Sequence, residues 1–176
     1  PVLYEDYVKD AREYIWLAED ANGPIPKPVS CAYIWGDALE QLDKVNPDAR
    51  IINLETSITQ NDAPWKNKYI HYRMHPQNAA CLASAKIDIA LLAHNHVLDW
   101  GRAGLRETLA VVREAGIQTA GAGHDLAEAA APAVVDTGVG RLLVFAYGSP
   151  SAGVFREWAA GVDVAGVPWL GDLGHK

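Results

Sequence analysis

The stretch Ile87-Asp88-Ile89-Ala90-Leu91-Leu92-Ala93 carries one polar side chain and is followed at once by His94-Asn95-His96. A half-exposed strand would alternate apolar with polar residues, and an isolated buried helix needs about 10 residues or more. So short and apolar a run suits a strand covered on both faces, the environment of a parallel sheet with layers packed on either side.

The neighbouring segments supply partners for it. Residues 49–54, rich in β-branched side chains, read as a second buried strand that ends at Glu55, and residues 117–120 as a third. Residues 69–74 alternate weakly and predict a short strand after a polar loop at 56–68. Residues 76–86 predict a helix with Ala79, Ala80, Leu82 and Ala83 inward. Residues 102–115 predict another, with Leu105, Leu109 and Val112 at helical spacing before Gly116.

Upstream, Tyr7, Ala11, Tyr14, Ile15 and Ala18 predict an amphipathic helix over residues 4–20, halted by Asn22-Gly23-Pro24. Residues 23–34, with prolines at 24, 26 and 28, predict an extended loop, after which Asp37 is placed to cap a short helix through Leu39, Leu42 and Val45. Downstream, Asp125 and Glu128 have capping-box spacing for an alanine-rich helix. Residues 133–136 and 141–147 read as a hairpin about Thr137-Gly138-Val139-Gly140, and residues 161–176 show no element.

Strand and helix therefore alternate, which predicts an α/β fold: a βαβ core with a mainly parallel sheet, finished by an antiparallel pair, in a single domain over all 176 residues. A net charge of −7 without a Lys/Arg stripe excludes a nucleic-acid partner. No segment approaches the ~18 consecutive apolar residues of a membrane span. Cys31 and Cys81 stand far apart without a paired motif and read as small buried hydrophobes. The first residues, Pro1-Val2-Leu3-Tyr4-Glu5-Asp6, lack a secretory pattern and an initiator Met, which suggests a processed chain or an excerpt. A nucleotide-binding reading ranks last, because Gly121-Ala122-Gly123 lacks the remaining spacing of a dinucleotide loop.

In such sheets ligands bind beyond the C-terminal strand ends, where Glu55 and His94-Asn95-His96 fall. Carboxylate and amide oxygens with imidazole nitrogens suit divalent ions such as Mn²⁺, Mg²⁺ or Zn²⁺. Each residue also has a plain alternative. Glu55 can be a solvated strand-end carboxylate, Asn95 a left-handed turn former, and His96 an imidazole bonded to a backbone carbonyl. Asp99 can cap the helix near Arg102 or hydrogen-bond His96, and Arg73 can meet an anionic substrate or form a surface ion pair. His124 reads as a turn residue. Trp35, Trp65, Trp100, Trp158 and Trp169 read as packing residues, with Trp100 nearest the motif.

Four motifs occur in a telling order: Asn53-Leu54-Glu55-Thr56, then Tyr72-Arg73 with Pro76 and Asn78-Ala79, then Ala93-His94-Asn95-His96 with Asp99 and Gly101, then Gly121-Ala122-Gly123. Together they resemble the CapA family of poly-γ-glutamate capsule synthesis proteins, itself similar to the calcineurin-like metallophosphoesterases. The resemblance implies a metallophosphoesterase-like αββα sandwich with a two-metal site for Mn, Mg, Zn or Fe, and association with the bacterial cell envelope. Carried over, Glu55 and Asn95 are metal ligands. His96 is the imidazole that polarises the phosphoryl group or protonates the leaving oxygen. Asp99 and His94 support it, and Arg73 contacts an anionic phosphoester or polyglutamate substrate.

Two departures stand against the family pattern. Its opening Gly-Asp strand is missing, since Gly36-Asp37 is followed by helix signals, and its Gly-His-x-x-His segment is missing, since Gly174-His175-Lys176 stands there alone. The sandwich is therefore expected to be incomplete and the chain an internal portion of a longer protein. The alternative function is a non-catalytic capsule or polymer-assembly component that binds metal or polyglutamate.

Overall fold

The apolar run at 87–93 is the middle of a three-stranded parallel sheet. A computed structural model of the chain describes residues 8–171. In chain order the elements are α1 (Glu13–Asn22), α2 (Ala38–Val45), β1 (Ile51–Asn53), β2 (Ser57–Ile58), β3 (Arg73–Met74), α3 (Ala80–Ser84), β4 (Ile89–Leu91), α4 (Gly101–Glu114), β5 (Gln118–Ala120), α5 (Leu126–Ala130), β6 (Ala133–Thr137) and β7 (Gly140–Val144). The main sheet has the order β1-β4-β5, with Ile51 opposite Ile89 and Ile89 opposite Gln118.

Both faces of β4 are covered, as its composition demands. Ala90 and Leu92 point into a core built with Leu82, Leu105, Leu109, Val112 and Trp158, whereas Ile89 packs on the other face with Ala120 and Ala133. That second face is closed by the antiparallel hairpin of β6 and β7, so the layers are helices, parallel sheet and hairpin. This is an α/β arrangement consistent with an incomplete sandwich. The hairpin forms its own two-stranded sheet, joined to β5 by a side chain. The Gln118 amide donates to Val134 O at 2.6 Å and accepts from Val134 N at 3.0 Å, in place of a backbone ladder.

Several expectations need correction. Among the described residues the first helix begins at Glu13 and not at residue 8, because the Asp10 carboxylate accepts from Arg12 N at 2.9 Å and turns the chain there. Residues 4–7 of that expectation lie outside the described residues, and none of the helix is buried. The extended loop at 23–34 gives way to a 3₁₀ turn at Tyr33–Trp35. Asp37 precedes α2 without a side-chain capping bond. The helix expected at 76–86 divides into a 3₁₀ turn, Pro76–Ala79, and α3. Its inward residues are Ala79, Leu82 and Ala85, while Ala80 and Ala83 are exposed.

The loop at 56–68 contains β2, which pairs in parallel with β3, and β3 itself spans only Arg73–Met74 of the strand expected at 69–74. The cysteines are not core hydrophobes. Cys31 is exposed and Cys81 half-buried, and burial, then the neighbouring Cys31, pushes the Cys81 thiol above its ordinary value. Ser84 Oγ donates to Cys81 O at 2.7 Å and lies 3.3 Å from Cys31 O.

The segment after Pro150, which lacks periodicity, is nevertheless core. Val154, Trp158, Ala165 and Val167 are buried, tied by single bridges such as Gly123 to Gly166. Asp125 caps α5 as its spacing predicts, accepting from Glu128 N at 2.8 Å, but the Glu128 carboxylate closes back onto His124 N at 2.7 Å. Among the described residues no helix is long and apolar enough to cross a membrane.

Helix α4 is fastened to β2 by one buried hydroxyl. Thr108 Oγ1 accepts from Ile58 N at 2.9 Å and donates to Gly104 O at 2.8 Å. Thr108→Val keeps the shape but strands a buried N–H, so urea unfolding should show a loss of about 1–3 kcal/mol. An unchanged midpoint would show that this bond contributes nothing.

Candidate functional site

The parallel register sets the candidate residues side by side. Asn53 lies opposite Leu91, so Glu55 leaves β1 on the edge where the chain leaves β4 into His94-Asn95-His96. Leu54 N donates to Leu91 O at 3.1 Å and Leu92 N to Ala120 O at 2.9 Å, which carries the ladder to that edge. Gly121, with φ +88°, sits where a Cβ would come within 2.7 Å of Ala93 Cβ, so this end of β5 can pack close to the turn only as glycine.

Residues 94–100 form consecutive turns, held from the β2 side by Ser57, whose Oγ donates to His96 O at 2.9 Å. Within them His96 Nδ1 lies 2.7 Å from Asp99 Oδ2, and Asp99 has no exposed surface. The same oxygen accepts from Tyr72 N at 2.6 Å, while Asp99 Oδ1 is 2.8 Å from Lys68 Nζ. Tyr72 stacks on the His96 ring with centroids 4.0 Å apart and planes 22° from parallel. With Nδ1 committed to Asp99, the ring nitrogen left for a ligand is Nε2.

These contacts set aside the plain alternative for two residues. Asp99 is not a cap: α4 begins after Trp100 without a side-chain capping bond, and the carboxylate serves His96. Asn95 is not a left-handed turn former, since the non-glycine residues with positive φ among those described are Asn46, Asn67 and Lys86. Asn95 is half-buried, and Gly153 approaches it so closely that a Cβ there would stand 3.3 Å from Asn95 Cβ.

His94 is buried, and its Nδ1 accepts from His96 N at 3.1 Å, so it braces the turn. Burial, and then the adjacent His96, hold its imidazole down at about 4, hence uncharged. Glu55 is exposed, and Asn53 Nδ2 donates to it at 2.6 Å.

Arg73 stands apart from this group. Its guanidinium carbon lies 4.2 Å from the Trp100 ring centroid, and its Nη1 pairs with Asp62 at 2.6 Å, the ion-pair alternative. It lines a cleft of about 340 Å³ with Thr59, Gln60, Asp62 and His75, which does not include Glu55, Asn95 or His96. Trp100 is buried between the two places, donating Nε1–H to Tyr72 O at 2.9 Å. Among the described residues no three His, Cys, Asp or Glu side chains converge as a metal shell.

Sequence reasoning missed Lys68 and underrated Tyr72. Lys68 sits in a polar loop with no periodicity, and no local signal distinguishes it from the solvated Lys66 two residues earlier.

A family model described as bacterial capsule synthesis protein PGA_cap matches residues 5–172. The chain belongs to this family. It is 43% identical over 171 residues to a probable polyglutamine synthesis accessory protein of Mycobacterium tuberculosis, the same figure for the CDC 1551 and H37Rv strains. That match covers 97% of this chain and 45% of the mycobacterial protein, so the chain spans less than half the length of those relatives. An uncharacterized protein of Sinorhizobium fredii is 39% identical over 67 residues, covering 38% of this chain and 14% of that protein. The CapA-type resemblance read from the four motifs therefore holds for the family.

The buried, neutral His94 links stability to acidity. Its folded value lies below the ordinary 6.5, so an unfolded chain takes up the proton first as pH falls. The stabilisation is complete above about 6.5 and is lost as pH drops toward about 4, amounting to about 3 kcal/mol at most. Urea unfolding between pH 7 and pH 4 should show that loss, and His94→Gln should flatten it. An equal slope in both proteins would remove His94 as the cause.

Proposed function

We propose that the turn after β4 is the acid–base wall of a metal-dependent phosphoesterase-like site, in a protein that takes part in poly-γ-glutamate capsule synthesis. The observation that carries this reading is the 2.7 Å contact between His96 Nδ1 and the fully buried Asp99. A carboxylate on Nδ1 fixes the ring's orientation and tautomer and stabilises the imidazolium, which prepares Nε2 to exchange a proton with a bound ligand. Family membership and the description of the mycobacterial relatives as probable polyglutamine synthesis accessory proteins support the capsule-polymer context.

In phosphoester hydrolysis a water oxygen bonds to phosphorus, the bond to the leaving oxygen breaks, and that oxygen needs a proton. As an imidazolium, with its Nδ1–H on Asp99, His96 can deliver that proton from Nε2 and be left neutral with its N–H on Nδ1, or donate a hydrogen bond from Nε2 to the phosphoryl oxygens as charge builds on them. Tyr72, stacked on the ring, and Ser57, bonded to its backbone, limit its tilt.

Glu55 and Asn95 would hold a divalent ion, since a carboxylate and an amide oxygen suit Mn, Mg, Zn or Fe and the uncharged His94 adds no repulsion. A bound ion supplies Lewis-acid polarisation of the phosphoryl group. Arg73 can serve an anionic substrate by exchanging Asp62, which is 87% exposed.

The test is hydrolysis of an aryl phosphate by the full-length protein with Mn²⁺. His96→Ala should lower kcat by about 10²–10⁴-fold while far-UV circular dichroism is unchanged. Glu55→Ala and Asn95→Ala should raise the Mn²⁺ concentration needed. Metal binding without turnover across a panel of phosphoesters would overturn the hydrolase reading and leave a polymer-assembly component that binds metal or polyglutamate.

A further inference from the structure

The loop ahead of β3 folds an unexpected cation into this site. Lys66 and Tyr69 point to solvent, Tyr69 at 89% exposure, whereas the Lys68 side chain is only 10% exposed. Asn67, at φ +62°, turns the chain so that Lys68 enters, a conformation asparagine tolerates. Lys68 Nζ then lies 2.8 Å from Asp99 Oδ1, 2.6 Å from Ile70 O and 3.1 Å from His96 Nδ1.

The proton positions follow from valence. An ammonium only donates, and the neutral imidazole carries one N–H. The shorter Nδ1 contact, 2.7 Å to Asp99 Oδ2, takes that N–H. Lys68 and His96 therefore meet one carboxylate from two sides: His96 donates to Oδ2, which Tyr72 N–H shares, and Lys68 pairs with Oδ1 by charge at 2.8 Å. Asp99 is fully buried, and a buried carboxylate without a counter-charge costs several kcal/mol, so without Lys68 it turns toward water or draws in another partner. Either change removes the fixed, charged acceptor that aligns the ring.

We propose that Lys68 is a positioning residue of the His96 site: it anchors the Asp99 carboxylate, which in turn orients the His96 ring. This rests on the reading of His96 as the acid–base group. Lys68 touches no reacting atom, so its effect belongs in kcat and in the state of the ring rather than in substrate affinity.

The experiment compares Lys68→Met and Lys68→Arg in the full-length protein by aryl phosphate kinetics with Mn²⁺ and by proton NMR. Lys68→Met should lower kcat by about 10–100-fold with KM nearly constant, and Lys68→Arg should recover most of the loss. The downfield Nδ1–H resonance of His96 bonded to Asp99 should persist in the wild type and in Lys68→Arg and vanish in Lys68→Met. A folded Lys68→Met protein that keeps both its resonance and its kcat would overturn the proposal.

Should Lys68→Met not fold, Lys68→Met with Asp99→Asn removes both charges together. If Lys68 acts through Asp99, the double variant loses no more kcat than Asp99→Asn alone, whereas additive losses refute the proposal. If the wild type hydrolyses nothing, the function proposed above fails. The resonance in Lys68→Arg, and its loss in Lys68→Gln, then still decides whether Lys68 holds the ring.

Discussion

A carboxylate with no exposed surface has to collect hydrogen bonds and positive charge from whatever surrounds it, and Asp99 draws three parts of the chain together to do so. The turn after β4 contributes His96, the loop ahead of β3 contributes Lys68, and the residue before β3 contributes the Tyr72 N–H. The backbone adds to this, since Trp65 N donates to Asp99 O at 2.7 Å. The loop is thereby held against the strand ends by one side chain and one carbonyl. Its own sequence supplies no hydrophobic periodicity that could do the same.

The sheet gives this arrangement its footing. β4 is buried on both faces, so a one-residue slip would exchange Ala90 and Leu92 with Ile89 and Leu91 and break both layers at once. The position of His94, Asn95 and His96 is set with the same accuracy as the core. Thr108 fastens α4 to β2 from below, and Ser57, in the same strand, holds the His96 carbonyl. Core and site thus share β2, a strand of two residues.

Membership in the capsule synthesis family sits easily with a polar corner of this kind. The buried imidazole of His94, kept neutral, shapes the turn, while the exposed carboxylate of Glu55 and the half-buried Asn95 stand at the adjoining strand ends.

What local sequence could determine, it determined well. β1, β4, β5, α4 and the β6–β7 hairpin are readable because their side chains repeat with the period of the element and are bounded by Gly, Pro or Asn. The strand-end location of Glu55, Asn95 and His96 follows from that reading alone. Tertiary structure alone decided the rest. β2 is two residues in a polar loop, the chain after Pro150 enters the core without periodicity, and Cys31 reaches Cys81 across half a hundred residues. Asp99 could cap a helix or hold a histidine, and Lys68 looked like any solvated lysine. Their roles come from burial and from partners distant in sequence, and a charge placed inside a protein is defined by what surrounds it, which no local pattern records.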